Sequence, residues 1–70
     1  MNADEFQTLE EYLKDVDDRE KINISFNGCD YYRYRVGRVK KRYIRNYLVV
    51  GIAKRYITIM SRRKVEETIV

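Results

Sequence analysis

The chain of 70 residues contains no histidine, no proline and no tryptophan, and it has a single cysteine, Cys29. A disulfide within the chain is therefore impossible, and without histidine a zinc site is not expected. The sequence also lacks a glycine-rich phosphate loop and a nucleophile set beside a base, so catalysis is not expected. We expect a protein without enzymatic activity, metal or cofactor, in which Cys29 is a free turn residue in a reducing compartment.

Long apolar runs are also missing. The longest, residues 47–53, is far too short to cross a bilayer. The first residues are acidic and do not have the basic flank and apolar core of a signal peptide. These features predict a soluble, cytoplasmic protein that does not associate with membranes.

The small size of the chain bears on its stability. Residues 1–70 are expected to form one domain, which would bury only about 60% of its unfolded surface. Small domains usually gain further stability from disulfides, metals or partner subunits. Because the first two are not expected here, and no proline protects a strand edge, we predict a homo-oligomer assembled through strand edges.

Charge is divided unequally along the sequence. Residues 1–20 carry a net charge of −6 and residues 21–64 a net charge of +12. Residues 31–64 hold six of the seven tyrosines and twelve of the fifteen lysines and arginines, with no acidic residue. Lysine and arginine bind phosphates, and aromatic rings stack on unpaired bases. The segment therefore predicts a nucleic-acid-binding surface, the alternative being an ordinary half-buried sheet with a solvated basic face. The candidate phosphate-binding residues within it are Arg33, Arg35, Arg38, Lys40, Lys41 and Arg42.

The apolar pattern predicts one helix at the start of the chain. Phe6, Leu9, Leu13 and Val16 recur at the spacing of a single helical stripe, which indicates an acidic helix over about residues 3–17. Asn2, with a glutamate three residues later, is the candidate N-cap.

Most of the remaining sequence alternates with a period of two and predicts strands. The fold class is therefore α+β, with the helix followed by a small, strongly bent antiparallel sheet of about five strands over about residues 21–70. Asn27–Gly28 is a turn signal, and Gly37 is expected at a bend within the second strand. A second helix over residues 38–50 is the alternative for that part of the chain. The predicted strands are 21–27, 31–36 with a continuation over 39–44, 47–52, 55–60 and 65–70.

Three segments are similar to conserved motifs of a known family. Residues 22–28 (INISFNG) match a first strand with its Asn-Gly turn, Gly37 matches a glycine in a bent second strand, and residues 59–69 follow the pattern of a second Sm motif. In this layout the chain resembles the Sm-like, Hfq-type family of RNA-binding proteins. It departs from that family in having no histidine and a longer segment before Gly37.

The resemblance implies an Sm-like or SH3-like barrel whose copies close into a ring that binds RNA around its pore. It implies that Tyr47 is the aromatic residue on which uridine stacks, and that Arg62, Arg63 and Lys64 line the rim and hold phosphates. The alternatives for these residues are a core tyrosine at the start of a strand and a solvated turn.

The predicted function is RNA binding in post-transcriptional regulation, with RNA preferred over DNA. A small DNA-binding regulator is one alternative. Another is a protein-interaction factor, such as a regulator or inhibitor from a phage or mobile element. Basic residues gathered on one continuous face would favour nucleic acid, whereas scattered positions would favour an ordinary solvated surface.

Overall fold

An open five-stranded sheet forms the centre of the protein, with helices on both of its faces. The computed structural model describes residues 3–69. The strand order is β1-β4-β5-β2-β3, and β1 and β3 are separate edges, so the sheet is not closed within this part of the chain. In chain order the elements are a 3₁₀ helix (Ala3–Glu5), β1 (Gln7–Thr8), α1 (Leu9–Leu13), β2 (Lys21–Ser25), β3 (Tyr31–Arg35), α2 (Val36–Tyr43), β4 (Tyr47–Ala53), β5 (Tyr56–Ser61) and α3 (Arg62–Ile69).

The sheet is mixed, so the predicted α+β class is confirmed but the all-antiparallel arrangement is wrong. β2 and β3 form one antiparallel hairpin, and β4 and β5 form another. Between them α2 carries the chain from the edge strand β3 across the sheet to β4. As a result β5 lies parallel to β2.

Helix α2 replaces the predicted continuation of the second strand. The alternative of a helix over residues 38–50 is correct for the first half of that range, and the second half belongs to β4. Val36 and Val39 lie at helical spacing and are fully buried. The free energy of burying these two side chains outweighs the preference of valine for strands. Gly37 lies in the first turn of this helix, not at a strand bend. A Cβ atom there would lie 3.1 Å from the Cβ of Asp18, so glycine permits the close approach of that segment.

The predicted helix over residues 3–17 is shorter than expected. Only Leu9–Leu13 is α-helical, preceded by the 3₁₀ helix and β1. Thr8 is the N-cap, because its Oγ1 accepts a hydrogen bond of 3.1 Å from the backbone N–H of Glu11. The predicted cap at Asn2 lies outside the described residues. The apolar stripe is nevertheless used, since Leu9 and Leu13 are fully buried.

The predicted strand over residues 65–70 is wrong up to residue 69, where the chain forms α3; Val70 lies outside the described residues. Val65 on this helix is buried against Leu48 of β4. The other predicted strands are confirmed, with their ends shifted by one or two residues. The turn at Asn27–Gly28 is confirmed as well, and Gly28 has a φ of 80°.

Two cores lie on opposite faces of the sheet. On one face α1 and α2 pack on Ile24, Ile57 and Ile59. On the other face the 3₁₀ helix and α3 cover Leu48 and Met60 near one end of β4 and β5. The part of β4 at Leu48 and Val49 is thus covered on both faces, whereas Ile52 further along the strand is 59% exposed. None of the helices described between residues 3 and 69 has the length and apolar character of a membrane span.

Candidate nucleic-acid interface

The part of the sheet face beyond α3 is open and carries polar and aromatic side chains. Successive strand residues point to opposite faces, so every second residue of β2, β3 and β5 lies on this side. The strand register places Arg33 of β3, Asn23 of β2 and Tyr56 of β5 in one row across the three strands. Arg33 is exposed and Asn23 is half-buried. This row could therefore contact a ligand lying across the strands.

Tyr56 presents an aromatic ring that its neighbours hold in place. Tyr56 is 46% exposed. The ring of Tyr31 packs edge-on against it, with 5.2 Å between centroids and an interplanar angle of 82°. The hydroxyl of Tyr31 in turn shares a hydrogen bond of 3.0 Å with Oγ1 of Thr58. A ring held in this way can stack on an unpaired base with little loss of side-chain entropy.

Seven cationic side chains of the described residues border this face or the adjacent edge of β3 and side of α2, in two grooves that share residues. One groove of about 460 Å³ is bordered by Lys21, Arg33, Lys54 and Arg55. A second groove, of about 500 Å³, lies along the edge of β3 and the side of α2 and shares Lys21 and Arg33 with the first. We call this set the basic band; its members are Lys21, Arg33, Arg35, Arg38, Arg42, Lys54 and Arg55.

The charges of the basic band are not neutralised within the described part of the protein. The ion pairs found between residues 3 and 69 involve Arg19, Lys40, Arg62 and Arg63 on the basic side, and none of these belongs to the band. Seven like charges on one surface produce a positive potential that attracts polyanions. The band is thus free to bind a phosphate backbone.

The segment between α1 and β2 fixes one border of the first groove. The backbone N–H of Val36 donates to the carbonyl of Glu20 at 2.7 Å, and that of Gly37 donates to the carbonyl of Asp18 at 2.9 Å. These two bonds satisfy N–H groups in the first turn of α2, whose N-cap residue Arg35 makes no side-chain capping bond. Glu20 and the start of β2 are thereby held against α2.

Asp17 and Arg19 stabilise the same segment. The guanidinium and the backbone N–H of Arg19 both donate to the carboxylate of Asp17, with the backbone bond 2.8 Å long. The side-chain hydrogen bond from Arg19 is the largest cause that lowers the pKa of Asp17 below its ordinary value. The contact of Asp17 with Arg19 thus holds the turn that precedes Glu20.

Four of the ten predicted site residues, Arg33, Arg35, Arg38 and Arg42, lie together in the basic band. Lys41 is exposed on α2 and borders neither groove of the band. Lys40 has a structural contact instead. Its Nζ lies 2.7 Å from Oδ1 of Asp18 and donates to the carbonyl of Val16 at 2.9 Å, which ties α2 to the segment after α1.

The residues that the Sm-like resemblance selected lie elsewhere. Tyr47 is half-buried in an aromatic cluster, with its ring centroid 5.3 Å from that of Tyr43. It borders a cavity of about 300 Å³ together with Arg62, but that cavity also contains Glu10, and Arg62 is paired with Asp4. Arg63 and Lys64, the other two residues that the resemblance selected, are exposed on α3 and do not border this cavity.

Six residues of this interface were missing from the sequence-based candidates: Lys21, Asn23, Tyr31, Lys54, Arg55 and Tyr56. Their sequence separation hides the site, since it forms only where β5 lies beside β2. Alternation along β3 places Tyr31 and Arg33 on one face, and this is a local signal that the sequence carries for the site. The crossover by α2 decides which strands are neighbours. The predicted strand over residues 39–44 stood in place of this helix.

Comparison of the chain with protein-family models, with curated proteins and with solved structures finds no match. A function for the chain therefore has to rest on the geometry and charge of its own surface.

Proposed function

We propose that the protein binds single-stranded nucleic acid, with RNA preferred, along the basic band and across the open sheet face. The observation that carries the proposal is the continuity of seven unneutralised cations beside an exposed and fixed tyrosine ring. Basic grooves follow the backbone of a single strand, and aromatic rings supply stacking that tolerates any base. Phosphates would lie on the cations and one base on Tyr56.

A single strand fits this surface better than a duplex. Bases in a duplex are stacked on one another, so an aromatic ring on a sheet face could not contact them. In the proposed arrangement Asn23, between Arg33 and Tyr56, contributes an amide that can donate and accept hydrogen bonds at a base edge. The preference for RNA, and a role in post-transcriptional regulation, rest on the Sm-like resemblance. A barrel of that type would require the open sheet to close, so we do not base the site on the ring geometry.

Self-association stays part of the proposal. β3 forms a free edge, but pairing of two β3 strands would bring Arg33 and Arg35 of both copies together. β1 pairs with β4 only as far as Val49, so the outer edge of β4 is unpaired beyond this residue. This part of the edge carries no charge, and Ile52 within it is 59% exposed. We therefore place a contact between copies at the end of β4.

The proposal can be tested by fluorescence anisotropy with a labelled 12-nucleotide single-stranded RNA. Replacing Lys21, Arg33 and Lys54 by glutamine should weaken binding by about 100-fold at 0.1 M salt, because each phosphate contact contributes about 5-fold through counterion release. The matched control replaces Lys14, Lys41 and Lys64, which lie outside the band and change the net charge equally. That control should bind nearly as well as the unaltered protein.

Equal loss of affinity in the two triple variants would contradict a localised site. Duplex DNA and poly-glutamate serve as competitors for the two alternative functions. A duplex that competes more strongly than the single strand would favour a DNA-binding regulator. Poly-glutamate that competes equally at the same charge concentration would favour a protein partner with an acidic surface.

A further inference from the structure

The groove at the end of the sheet combines features that a phosphate-binding surface alone does not need. It has a volume of about 460 Å³, within the range of about 300–1,000 Å³ that is usual for small-ligand sites. One side of it is apolar and is formed by Tyr12 of α1, Val16 and Ile22. These side chains pack against the main core but are only half-buried, so part of each remains available to a ligand.

The groove is also bordered by cationic residues. Lys54 and Arg55, from the turn between β4 and β5, border it together with Lys21 and Arg33. Apolar and cationic side chains that border the same space suit a ligand with a flat apolar part and an attached anion. A nucleotide has this composition, with the base as the apolar part and the phosphate as the anion.

Among residues 3–69, Glu20 is the one acidic residue on the border of this groove. Its backbone is fixed, since its N–H donates to the carbonyl of Asp17 at 3.0 Å and its carbonyl accepts from Val36. Its side chain forms no hydrogen bond or ion pair with any residue in the described range 3–69, although four cations border the same groove. A carboxylate only accepts hydrogen bonds, so it would recognise a base that presents an amino group.

We propose that this groove binds one unstacked nucleotide of the bound strand and selects bases that carry an exocyclic amino group. The base lies against Tyr12, Val16 and Ile22, its phosphate lies on Lys54 and Arg55, and Glu20 accepts from the amino group. Cytosine is favoured over uracil, because uracil presents a carbonyl oxygen where cytosine presents its amino group, and two acceptors would face each other. The inference rests on the proposed function, since the nucleotide belongs to the strand that the basic band holds.

The test compares 12-nucleotide oligo(C) and oligo(U), because both bases are pyrimidines of similar size and cytosine carries its amino group where uracil carries a carbonyl oxygen. The unaltered protein should bind oligo(C) about 10-fold more tightly, in line with the usual value of one base-specific contact. Glu20→Gln should reduce this ratio to near one, because an amide can also donate to the carbonyl of uracil. Asp15→Asn is the matched control, because it makes the same charge change on an exposed residue that does not border the groove. The control should keep the 10-fold ratio.

Each outcome separates the inference from the function on which it rests. Tight binding of both strands with equal affinity would overturn the selectivity and leave the proposed function intact. A preference for oligo(C) that survives in Glu20→Gln would overturn the role of Glu20. Failure of the unaltered protein to bind either strand would overturn both. Thermal melting of Glu20→Gln is expected to match that of Asp15→Asn, because Glu20 contributes to the fold through its backbone.

Discussion

Lys54 has a backbone conformation that lysine rarely adopts. It lies in the two-residue turn between β4 and β5 with a φ of 56°, in the left-handed region that glycine and asparagine occupy more easily. A residue with a Cβ atom is disfavoured there by about 1–2 kcal/mol. A strained residue at a surface turn is most readily explained by what its side chain does, and Lys54 borders the groove that we assign to phosphate binding.

Lys54→Gly should therefore make the protein more stable and a weaker binder. Relief of the strain is partly offset by the greater freedom of glycine in the unfolded chain, about 0.4–1 kcal/mol. The net gain in the free energy of unfolding is about 0.5–1 kcal/mol, which raises the melting temperature by about 4 °C in a domain of this size. Loss of one phosphate contact should lower the affinity for single-stranded RNA about 5-fold at 0.1 M salt.

Thermal melting followed by circular dichroism, together with fluorescence anisotropy, measures both effects. Lys54→Asn should give the same pattern, because asparagine tolerates this conformation and carries no charge. Asn46→Gly is the control, since Asn46 is the other non-glycine residue between 3 and 69 with a positive φ, at 67°, and it does not border the basic band. It should leave binding unchanged. A less stable Lys54→Gly protein, or one that binds RNA as tightly as before, would refute the reasoning.

Further variants separate binding residues from structural ones. Tyr56→Ala should weaken RNA binding about 10-fold with little change in melting temperature. Tyr47→Ala should instead lower the free energy of unfolding by about 2 kcal/mol, because its half-buried ring packs in the aromatic cluster; the reverse pattern would support the Sm-like assignment of Tyr47. Lys40→Met should lower the free energy of unfolding by about 1 kcal/mol and leave the affinity for RNA unchanged. Lys41→Met should change neither quantity. Equal loss of RNA affinity in both variants would show that α2 contacts RNA through these lysines. If about five phosphates are bound, a plot of the logarithm of the affinity against the logarithm of the salt concentration should have a slope of about −3.5. An affinity that does not change with salt would remove the electrostatic part of the proposal. Ile52→Lys should lower the native mass in light scattering without unfolding the chain, and a monomer in the unaltered protein would remove the expected self-association.

Local patterns in the sequence predicted β2, β3, β4 and β5, but not β1, and they wrongly predicted strand over 39–44 and 65–69. Ile22 and Ile24 alternate with polar residues in β2, and the apolar run over 47–53 forms β4, whose Leu48 and Val49 are buried in the cores on the two faces of the sheet. The turn at Asn27–Gly28 followed from the tolerance of both residues for positive φ. These features depend on short-range rules, which act wherever the strand ends up in the sheet.

The helices and the strand order could not be predicted in the same way. In α2 the β-branched Val36 and Val39 favour strand, and only their burial against the sheet makes the helix stable. The same error concealed the crossover, the parallel contact of β2 with β5, and hence the row in which Asn23 lies between Arg33 and Tyr56. The charge pattern predicted a basic surface, but the position of its residues required the tertiary structure.

The most direct test of the proposed interface is a titration of ¹⁵N-labelled protein with single-stranded RNA, followed through the backbone amide signals. The interface described here predicts that the largest shifts fall in residues 21–23, 31–35 and 54–56, which meet on the open sheet face and its edge. Signals of Tyr47 and of residues 62–64 should move little. Large shifts confined to Tyr47 and residues 62–64, with the open sheet face unaffected, would contradict the interface and return the site to the position that the Sm-like resemblance implied.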